Sequence, residues 1–437
     1  MNHLIIGAGP AGVVAAETLR DLDSSAAITV LGDEPEPPYS RMAIPYLLRE
    51  NIDERGTYLR KQDGHFDECN IEVRNGRAGR AQAVDAVGKR VKLAGGDELA
   101  YDKLLVASGS KPLTPPIPGI DHARVSSCWT LEDARKIAAG IQPGAPVVLI
   151  GAGFIGCIIL EALVAAGAQL TVIEMGARMV PRMLDSTCGG LLQKWCEGKG
   201  VTVLTGAQVS AIEEADGDAL KVRVDGDGGG EKILDAELVI SATGVRANAD
   251  FLGDGGDGGG KSNKSNGGSG VELRDGAVVV DAFMASSNAD IFAAGDVACG
   301  KDFSTGEYSV QAIQPVAVEH ARIAAHNMHA PGAARHRGAV AMNVLDTIGL
   351  VSTSYGLWDG VDGGDSCKLV DESRYRYLRL CFEDDILVGA NTLGMTEHIG
   401  ILRGLIQGRF RLGKWKARLM ENPLQLMESY LAATQGA

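Results

Sequence analysis

The sequence lacks paired cysteines. Its eight cysteines show no CxxC or CxxxxC spacing and no spacing typical of metal ligands. In a long chain, cysteines scattered in this way are typical of separate reduced thiols. We therefore expect no metal site. The cysteines stand at positions 69, 128, 157, 188, 196, 299, 367 and 381.

Positive charge is also scarce, since 42 Lys and Arg residues stand against 56 Asp and Glu residues, a net charge of −14. This balance favours solubility and argues against a nucleic-acid partner, which requires a basic surface. The length of 437 residues suffices for two or three domains. Nothing resembling a signal peptide precedes the first apolar run, so we expect a cytoplasmic protein.

One stretch, residues 145–174, imitates a membrane span because it is almost uncharged over the length that a bilayer needs. Glycines at 151, 153 and 156 interrupt it after a short β-branched run, and it ends on a carboxylate. This pattern predicts a strand, a tight turn, a helix and a second strand buried in a parallel sheet. We expect no transmembrane segment.

The same strand–glycine–helix–strand unit occurs twice. The first copy, "LIIGAGPAGVVAAETLR", has Gly7, Gly9 and Gly12, and its second strand ends at Asp33 and Glu34. In each copy, glycine permits the tight turn and close approach of a pyrophosphate to the helix N-terminus. The acid accepts hydrogen bonds from a ribose diol. Two such units, each with an acid at the right distance, are strong evidence for two dinucleotide sites. The second copy has Gly151, Gly153, Gly156 and Glu174.

The remaining segments differ in character. Residues 253–270 are rich in Gly, Ser, Asn and Asp with little to pack, which predicts a flexible insertion. From about residue 335, short apolar runs such as "YRYLRLCF" and "DILVGANTL" precede helical patterns, which predicts a separate α+β domain.

Four further motifs accompany the two units: "YDKLLVASGSKP", "LVISATGVRAN", "ADIFAAGDVA" and "IQPVAVEHARIAAHN". With them, residues 1–330 resemble the FAD-dependent pyridine-nucleotide oxidoreductases, a family that includes ferredoxin and rubredoxin reductases and coenzyme A disulfide reductase. The resemblance implies an α/β fold with two Rossmann-like, doubly wound domains and a C-terminal α+β interface domain. It implies FAD-binding parts at 1–112 and 249–330, an NAD(H)-binding domain at 113–248, a C-terminal domain at 331–437, and a homodimer.

By this resemblance the first unit holds FAD, because the second FAD motif returns near Asp296. That carboxylate is expected to bind the ribityl chain. A helix started by Pro315 aims free N–H groups at the flavin, where its dipole stabilises negative charge. The expected FAD residues are Gly7, Gly9, Pro10, Ala11, Gly12, Asp33, Glu34, Arg41, Ala107, Ser108, Gly109, Gly295, Asp296, Ile313 and Gln314.

The second unit is then expected to hold the nicotinamide nucleotide. Glu174 favours NADH, because it bonds a free 2′-hydroxyl and repels a 2′-phosphate; Arg178 could soften that repulsion. Relatives often carry a glutamate where this chain has Ile158, so the usual contact near the nicotinamide is absent. The expected residues are Gly151, Gly153, Phe154, Ile155, Gly156, Glu174 and Gly244.

Disulfide-reducing relatives keep a redox cysteine where this chain has Met42, in "PPYSRMAIPYLL". A thioether forms neither a thiolate nor a mixed disulfide. Met42 and Tyr46 are therefore expected near the flavin without a certain catalytic role, and Cys157, Cys299 and His320 are expected to be structural. The flavin would pass electrons directly to an outside acceptor.

Three hypotheses on that acceptor stay open. The first is a small iron–sulfur protein, docked on the basic stretch at 403–418. The second is a small molecule such as a quinone, oxygen or a sulfur species, with the same stretch lying on a membrane surface. The third is a non-catalytic flavin sensor or interaction module.

Overall fold

The computed structural model describes residues 1–215, 219–226, 230–253 and 269–435. The predicted flexible insertion at 253–270 falls almost entirely outside the described residues. The described chain divides into two units. Unit 1 comprises Met1–Leu47, Ile52–Lys111 and Val245–Ala339, and unit 2 comprises Leu48–Asn51, Pro112–Gly244 and Val340–Ala437.

The strands are numbered in chain order. The first fourteen are β1 Asn2–Ile6, β2 Ala27–Leu31, β3 Glu72–Arg74, β4 Ala81–Asp85, β5 Arg90–Leu93, β6 Glu98–Ala100, β7 Lys103–Val106, β8 Ser110–Pro112, β9 Val125–Ser127, β10 Pro146–Ile150, β11 Gln169–Glu174, β12 Thr202–Thr205, β13 Ala207–Glu214 and β14 Leu220–Gly226. The others are β15 Glu231–Ala236, β16 Leu238–Ser241, β17 Val245–Ala247, β18 Leu273–Arg274, β19 Ala277–Val279, β20 Ile291–Ala293, β21 Ala298–Lys301, β22 Tyr308–Val310, β23 Met342–Thr347, β24 Leu350–Gly356, β25 Asp365–Asp371, β26 Arg376–Glu383 and β27 Ile386–Leu393.

The helices are numbered in the same way. They are α1 Pro10–Leu22, α2 Ile44–Leu48, α3 His65–Glu68, α4 Leu131–Gly140, α5 Phe154–Ala165, α6 Ser186–Gly198, α7 Gln314–His329, α8 Ile399–Gly408, α9 Lys414–Glu421 and α10 Leu426–Gln435. Short 3-10 turns include Arg41–Ala43 and Gly295–Val297.

Unit 1 is built on a parallel sheet in the order β20-β7-β1-β2-β3. Its central strand is apolar and buried along most of its length, as expected for a parallel strand covered on both faces. The helix α1, which follows it, packs against α7 and contributes buried alanines to the same core. Two small sheets, β4-β5-β6 and β18-β19-β21-β22, complete the unit.

Unit 2 repeats this arrangement with a parallel sheet in the order β12-β11-β10-β16-β9, followed by the antiparallel sheet β13-β14-β15. The membrane-like stretch becomes β10, α5 and β11, which confirms the prediction of a buried sheet unit. Among the described residues, no helix combines the length and apolar content needed to cross a bilayer.

The C-terminal residues form an antiparallel sheet in the order β23-β24-β27-β26-β25, followed by α8, α9 and α10. The strands expected from "YRYLRLCF" and "DILVGANTL" are β26 and β27, whereas β25 was not anticipated. The predicted α/β class with two parallel-sheet nucleotide folds and a C-terminal α+β part is therefore confirmed. The predicted domain boundaries stay a prediction.

The chain leaves unit 1 within β8 and returns to it at β17, and these two strands pair side by side. Just inside unit 2, the backbone N–H of Leu113 donates to the Gly244 carbonyl at 2.9 Å. Both ends of the 112–244 segment therefore lie next to each other.

Candidate functional site

The glycine turn of unit 1 has the geometry of a pyrophosphate cradle. Gly7 has φ +118°, and a Cβ there would lie 2.1 Å from the Ala107 carbonyl oxygen. A Cβ on Gly12 would lie 1.8 Å from the Gly7 oxygen. Gly9, in contrast, faces open space, with no atom within 4 Å of a built Cβ. Glycine is thus required for the turn at two positions and leaves room at the third.

The helix that follows this turn has a free N-terminus. α1 begins at Pro10 after Gly9, which offers no side-chain cap, and Ala11 lies buried in its first turn. Its first N–H groups therefore remain available to an anion, and the helix dipole adds positive charge at that end.

The acids at the end of β2 differ in environment. Asp33 is exposed, whereas Glu34 is half-buried and accepts hydrogen bonds from the Tyr39 hydroxyl at 2.5 Å and Arg41 Nη2 at 2.7 Å. Burial raises the pKa of Glu34, and Arg41 opposes that rise. Arg41 and Tyr39 therefore fix the carboxylate at the carboxyl edge of the sheet, where a ribose diol binds in this fold.

Asp296 lies in the 3-10 turn Gly295–Val297, half-buried. The Ser110 hydroxyl donates to its Oδ2 at 2.8 Å. Burial raises the pKa of Asp296, while Ser110 and the positive charge of Arg41 act in the opposite direction. A half-buried carboxylate at this edge of the sheet is suited to accept hydrogen bonds from sugar hydroxyls. Gly295 has φ +79°, and a Cβ there would lie 3.3 Å from Ala317 Cβ.

α7 begins at Gln314, with Ile313 at its N-cap and no side-chain cap. The Gln314 side-chain oxygen accepts a hydrogen bond from Ser40 Oγ at 2.8 Å. This contact ties the start of α7 to the segment that carries Arg41. Free N–H groups at this helix end can stabilise negative charge on a neighbouring ring.

The other predicted FAD residues occupy the same sheet edge. Ala107, Ser108 and Gly109 follow β7, and the Ser108 hydroxyl donates to the Asn248 carbonyl at 2.5 Å. Met42 and Tyr46 have relative exposures of 47% and 54%.

Each polar part of an FAD molecule matches a different group of these residues. The open space at Gly9 and the uncapped α1 suit a pyrophosphate, and the held Glu34 suits the adenosine ribose. The half-buried Asp296 suits a polyol chain. The individual residue roles remain predictions.

The glycine turn of unit 2 repeats this geometry. Gly151 has φ +100°, with a built Cβ 2.5 Å from the Ala242 carbonyl oxygen, and a Cβ on Gly156 would lie 2.1 Å from the Gly151 oxygen. Gly153 again faces open space and caps α5 without a side chain. Phe154 and Ile155 are the first, half-buried residues of that helix.

Glu174 ends β11 with both carboxylate oxygens engaged. Oε2 accepts the Ala152 N–H of the glycine turn at 2.8 Å, and Oε1 accepts the Gly176 N–H at 2.7 Å. Arg178 turns away and donates to the carbonyls of Leu184 at 2.8 Å and Pro181 at 3.1 Å. The guanidinium is therefore committed to a loop rather than poised to meet a 2′-phosphate.

Two further features complete this nucleotide unit. Gly244 has φ +119° and is the third residue after β16, at the carboxyl edge of the sheet. Ile158 is half-buried on α5, and the next turn of that helix carries Glu161, which lies 3.1 Å from Arg49 Nη1.

The two cysteines beside the nucleotide motifs, Cys157 and Cys299, are buried. All eight cysteines are free, and all but the half-buried Cys69 are buried. Cys157 donates weakly to the Ala152 carbonyl at 3.5 Å, and burial raises its pKa well above the ordinary value. Burial also raises the pKa of Cys299, which lies in β21 within the core of unit 1. A raised pKa disfavours the thiolate that redox exchange requires.

His320 is buried in α7, edge-on to His336 with ring centroids 4.7 Å apart. Burial lowers the pKa of His320 to about 3, so it is neutral near pH 7. The described residues contain no group of three or more His, Cys, Asp or Glu side chains that could hold a metal.

Three of the six basic residues in the 403–418 stretch form ion pairs within unit 2. Arg409 lies 3.5 Å from Glu383, Arg411 lies 3.1 Å from Asp385, and Lys416 lies 2.5 Å from Asp365. The apolar side of α8, at Leu402, Leu405 and Ile406, is buried. Burial of these side chains argues against insertion of α8 into a membrane surface, and the docking role stays a prediction.

Sequence reasoning missed Tyr39, Ser40 and Ser110, which hold Glu34, Gln314 and Asp296. Only Ser110 could have been found from the sequence, because its hydroxyl follows closely after β7, a strand that ends at the carboxyl edge of the sheet.

Comparison with known proteins places these features in context. The model of the family described as pyridine nucleotide-disulphide oxidoreductase matches residues 1–326. The NADH-dependent phenylglyoxylate dehydrogenase subunit epsilon of Aromatoleum evansii is 30% identical over 437 residues, 99% of this chain and 98% of that protein. A probable ferredoxin reductase, CtmF of Castellaniella defragrans, is 30% identical over 296 residues, 68% and 67% of the two chains. The structure of an NAD-dependent persulfide reductase from A. fulgidus is 28% identical, with TM-score 0.82 over 95% of this chain and 78% of that one.

Proposed function

Because the chain belongs to the pyridine nucleotide-disulphide oxidoreductase family and is an oxidoreductase that uses FAD and NAD(H), we propose that it exchanges electrons with a small iron–sulfur protein. FAD held by these residues would supply hydride acceptance and the release of electrons one at a time, which suits such a partner. The observation that carries the proposal is Met42, which stands where disulfide-reducing relatives keep a cysteine. The similarity to a probable ferredoxin reductase supports it.

The protein residues have positioning roles in this proposal. Gly9 and the α1 N-terminus hold a pyrophosphate, Glu34 holds a ribose, and Asp296 holds the ribityl hydroxyls. Ser40 holds the Gln314 side chain at the start of α7, where the free N–H groups would stabilise negative charge on a bound flavin. None of these steps requires a proton or electron from a cysteine.

NADH is the proposed nucleotide. Glu174 is pinned by two backbone N–H groups, so it remains beside the position of the adenosine ribose. A 2′-phosphate placed there would meet a fixed negative charge, and Arg178 is bonded elsewhere. The nucleotide site therefore selects against NADPH by repulsion.

The test is anaerobic reduction of the FAD-loaded protein by NADH, followed by separate addition of a ferredoxin, a rubredoxin, a quinone, oxygen and a persulfide. The proposal expects rapid reoxidation by an iron–sulfur protein and slow reoxidation by the small molecules. Reoxidation by a persulfide or oxygen at least as fast as by any iron–sulfur protein would instead support the small-molecule hypothesis. The sensor hypothesis is disfavoured because the chain is an oxidoreductase.

A second candidate function rests on the length of one match. The chain aligns almost end to end with a protein named as a subunit of an NADH-dependent dehydrogenase. We propose as the alternative that this chain is the nucleotide-binding subunit of a larger oxoacid dehydrogenase. Purification from the native source would then yield a complex in which phenylglyoxylate or a related 2-oxoacid reduces NAD+, and the isolated chain alone would not.

The four-part domain division, the homodimer and the cytoplasmic location are also proposed. Exposed apolar side chains on the C-terminal part, including Val344 at 50% and Leu424 at 50%, are compatible with a subunit interface. Light scattering on the purified FAD-loaded protein would give twice the chain mass if the dimer is correct.

A further inference from the structure

Unit 1 contains a cavity of about 680 Å³ outside the nucleotide site residues. It lies beside Lys301, the last residue of β21, and is lined by the loop that follows α7. Its charged and polar lining consists of Asp281, Lys301, Tyr308, Arg335, His336 and Arg337. Three cations against one carboxylate make it basic, although the chain as a whole carries −14.

The backbone fixes the position of these cations. The Ala339 N–H donates to the Lys301 carbonyl at 3.2 Å, and the Phe303 N–H donates to the Ala339 carbonyl at 2.8 Å. Gly338 has φ +98°, and a Cβ there would lie 3.1 Å from the Lys301 oxygen. Only glycine therefore lets the loop lie this close to β21, and the loop is held beside Lys301.

Exposure alternates along the loop. Arg335 and Arg337 are exposed, while His336 between them is buried, and its N–H donates to the Ala282 carbonyl at 2.7 Å. The His336 ring packs edge-on against His320 of α7. Burial of the middle residue therefore anchors the loop and leaves both guanidinium groups at the cavity.

The cations are not neutralised by the protein. Among the described residues, Lys301, Arg335 and Arg337 form no ion pair, in contrast to Arg409, Arg411 and Lys416. The Asp281 carboxylate instead accepts the N–H groups of Phe283 at 2.8 Å and Ala285 at 3.0 Å. Three like charges held at one cavity repel one another, and a multivalent anion would offset that repulsion.

We propose that this cavity binds a small molecule bearing two or more linked phosphates. Arginine presents a planar fork that matches phosphate oxygens in bidentate geometry, and lysine adds a point charge. The volume is in the range of small-molecule sites. The 41% exposed Tyr308 ring offers an apolar contact for a nucleoside. The recessed shape favours a small ligand over a protein face, which needs a broad interface.

The test is calorimetric titration of the FAD-loaded full chain with inorganic pyrophosphate and, separately, with ADP. Saturable pyrophosphate binding that weakens as ionic strength rises is expected. The double variant Arg335→Gln/Arg337→Gln and the single variant Lys301→Gln should each weaken it, the double variant at least tenfold. Arg90→Gln, which alters an exposed arginine of unit 1 outside the cavity lining, is the matched control and should bind as the unaltered protein does.

The component of binding that the double variant loses reports this cavity rather than the glycine turns. If the double variant lowers the affinity for ADP and for pyrophosphate by the same factor, the ligand is recognised by its phosphates alone. If it lowers the affinity for ADP by a larger factor, the ligand is a nucleotide. No saturable pyrophosphate binding, or equal binding by the double variant and the control, would overturn the proposal. Binding of an acidic protein at these arginines without binding of pyrophosphate would overturn it as well.

Discussion

The Ser110 hydroxyl donates to Asp296 Oδ2 across 2.8 Å, between the residue that opens β8 and the short turn after β20. This contact joins two segments that are 186 residues apart in sequence. It holds a carboxylate that burial would otherwise leave poorly solvated.

Asp296→Asn should stabilise the FAD-free protein and weaken FAD binding. Because burial raises the folded-state pKa of this acid above its unfolded value, the free energy of unfolding falls as pH rises through that window. At neutral pH the ionised group is therefore a cost that asparagine removes. Loss of charge-assisted hydrogen bonds to the ribityl chain should weaken FAD binding about 10- to 100-fold. Thermal melts of stripped protein and FAD titration measure both effects.

Ser110→Ala is the opposing control for that prediction. It removes the donor that favours the ionised acid, so the FAD-free protein should melt at a lower temperature near pH 7. A lower melting temperature for Asp296→Asn than for the unaltered protein would contradict the assigned cost of burial.

Gly9→Glu and Gly153→Glu form a matched pair that separates the two nucleotide units. A side chain fits at both positions, since no atom lies within 4 Å of a built Cβ, so folding should be kept. The new carboxylate repels a pyrophosphate in its own turn only. The Gly9→Glu variant should purify without flavin. The Gly153→Glu variant should keep its flavin, but the NADH concentration that gives half-maximal flavin reduction should rise at least about tenfold. Full flavin occupancy in Gly9→Glu would reverse the assignment of the first unit.

Glu174→Gln should narrow the preference for NADH over NADPH by about tenfold or more, because it removes the repulsion of a 2′-phosphate. Glutamine keeps one oxygen acceptor for the Ala152 or Gly176 N–H, so the backbone conformation around residue 174 should be retained. Arg178→Gln, whose guanidinium bonds loop carbonyls, should lower stability without changing nucleotide preference. Stopped-flow measurement of the rate of flavin reduction with NADH and with NADPH tests these expectations. A preference of the unaltered protein for NADPH would refute the role of Glu174.

Anaerobic NADH titration should end at about two electrons per chain, the capacity of FAD alone. An active-site dithiol would add two more and give a thiolate-to-flavin charge-transfer band. Cys299→Ser should leave flavin reduction intact, because Cys299 is buried in the core of unit 1 with a raised pKa. Uptake of four electrons, or loss of reduction in this variant, would reveal a thiol relay.

The contribution of His320 to the stability of unit 1 should fall in mild acid. The pKa of His320 is lowered from 6.5 to about 3, so the unfolded chain binds its proton first. Unfolding free energy is therefore lost as pH falls below 6.5, on the order of 1–2 kcal/mol by pH 5 for one such group. His320→Leu should flatten this dependence in urea melts, although His3, with a pKa lowered to about 4, will retain part of it. An unchanged pH slope would contradict the neutral, buried state of His320.

The sequence predicted the two nucleotide units well, because glycine at Gly7 and Gly151 is demanded by backbone contacts that no other residue tolerates. It could not predict the direction of Arg178, since the carbonyls that bind it are placed by a loop. Nor could it predict the ion pairs of Arg409, Arg411 and Lys416. Their partners, Glu383, Asp385 and Asp365, lie in or beside strands whose pairing no local pattern reveals.

The adjacent ends of the 112–244 segment affect how unit 1 can fold. Joining its two sequence-distant parts across an unfolded insertion of this size would carry the closure entropy of a very long loop. Once the insertion has folded, the contact between Leu113 and Gly244 brings its ends together, and it acts on unit 1 as a short turn does. The pairing of β17 with β8 then becomes, in entropic terms, an almost local event.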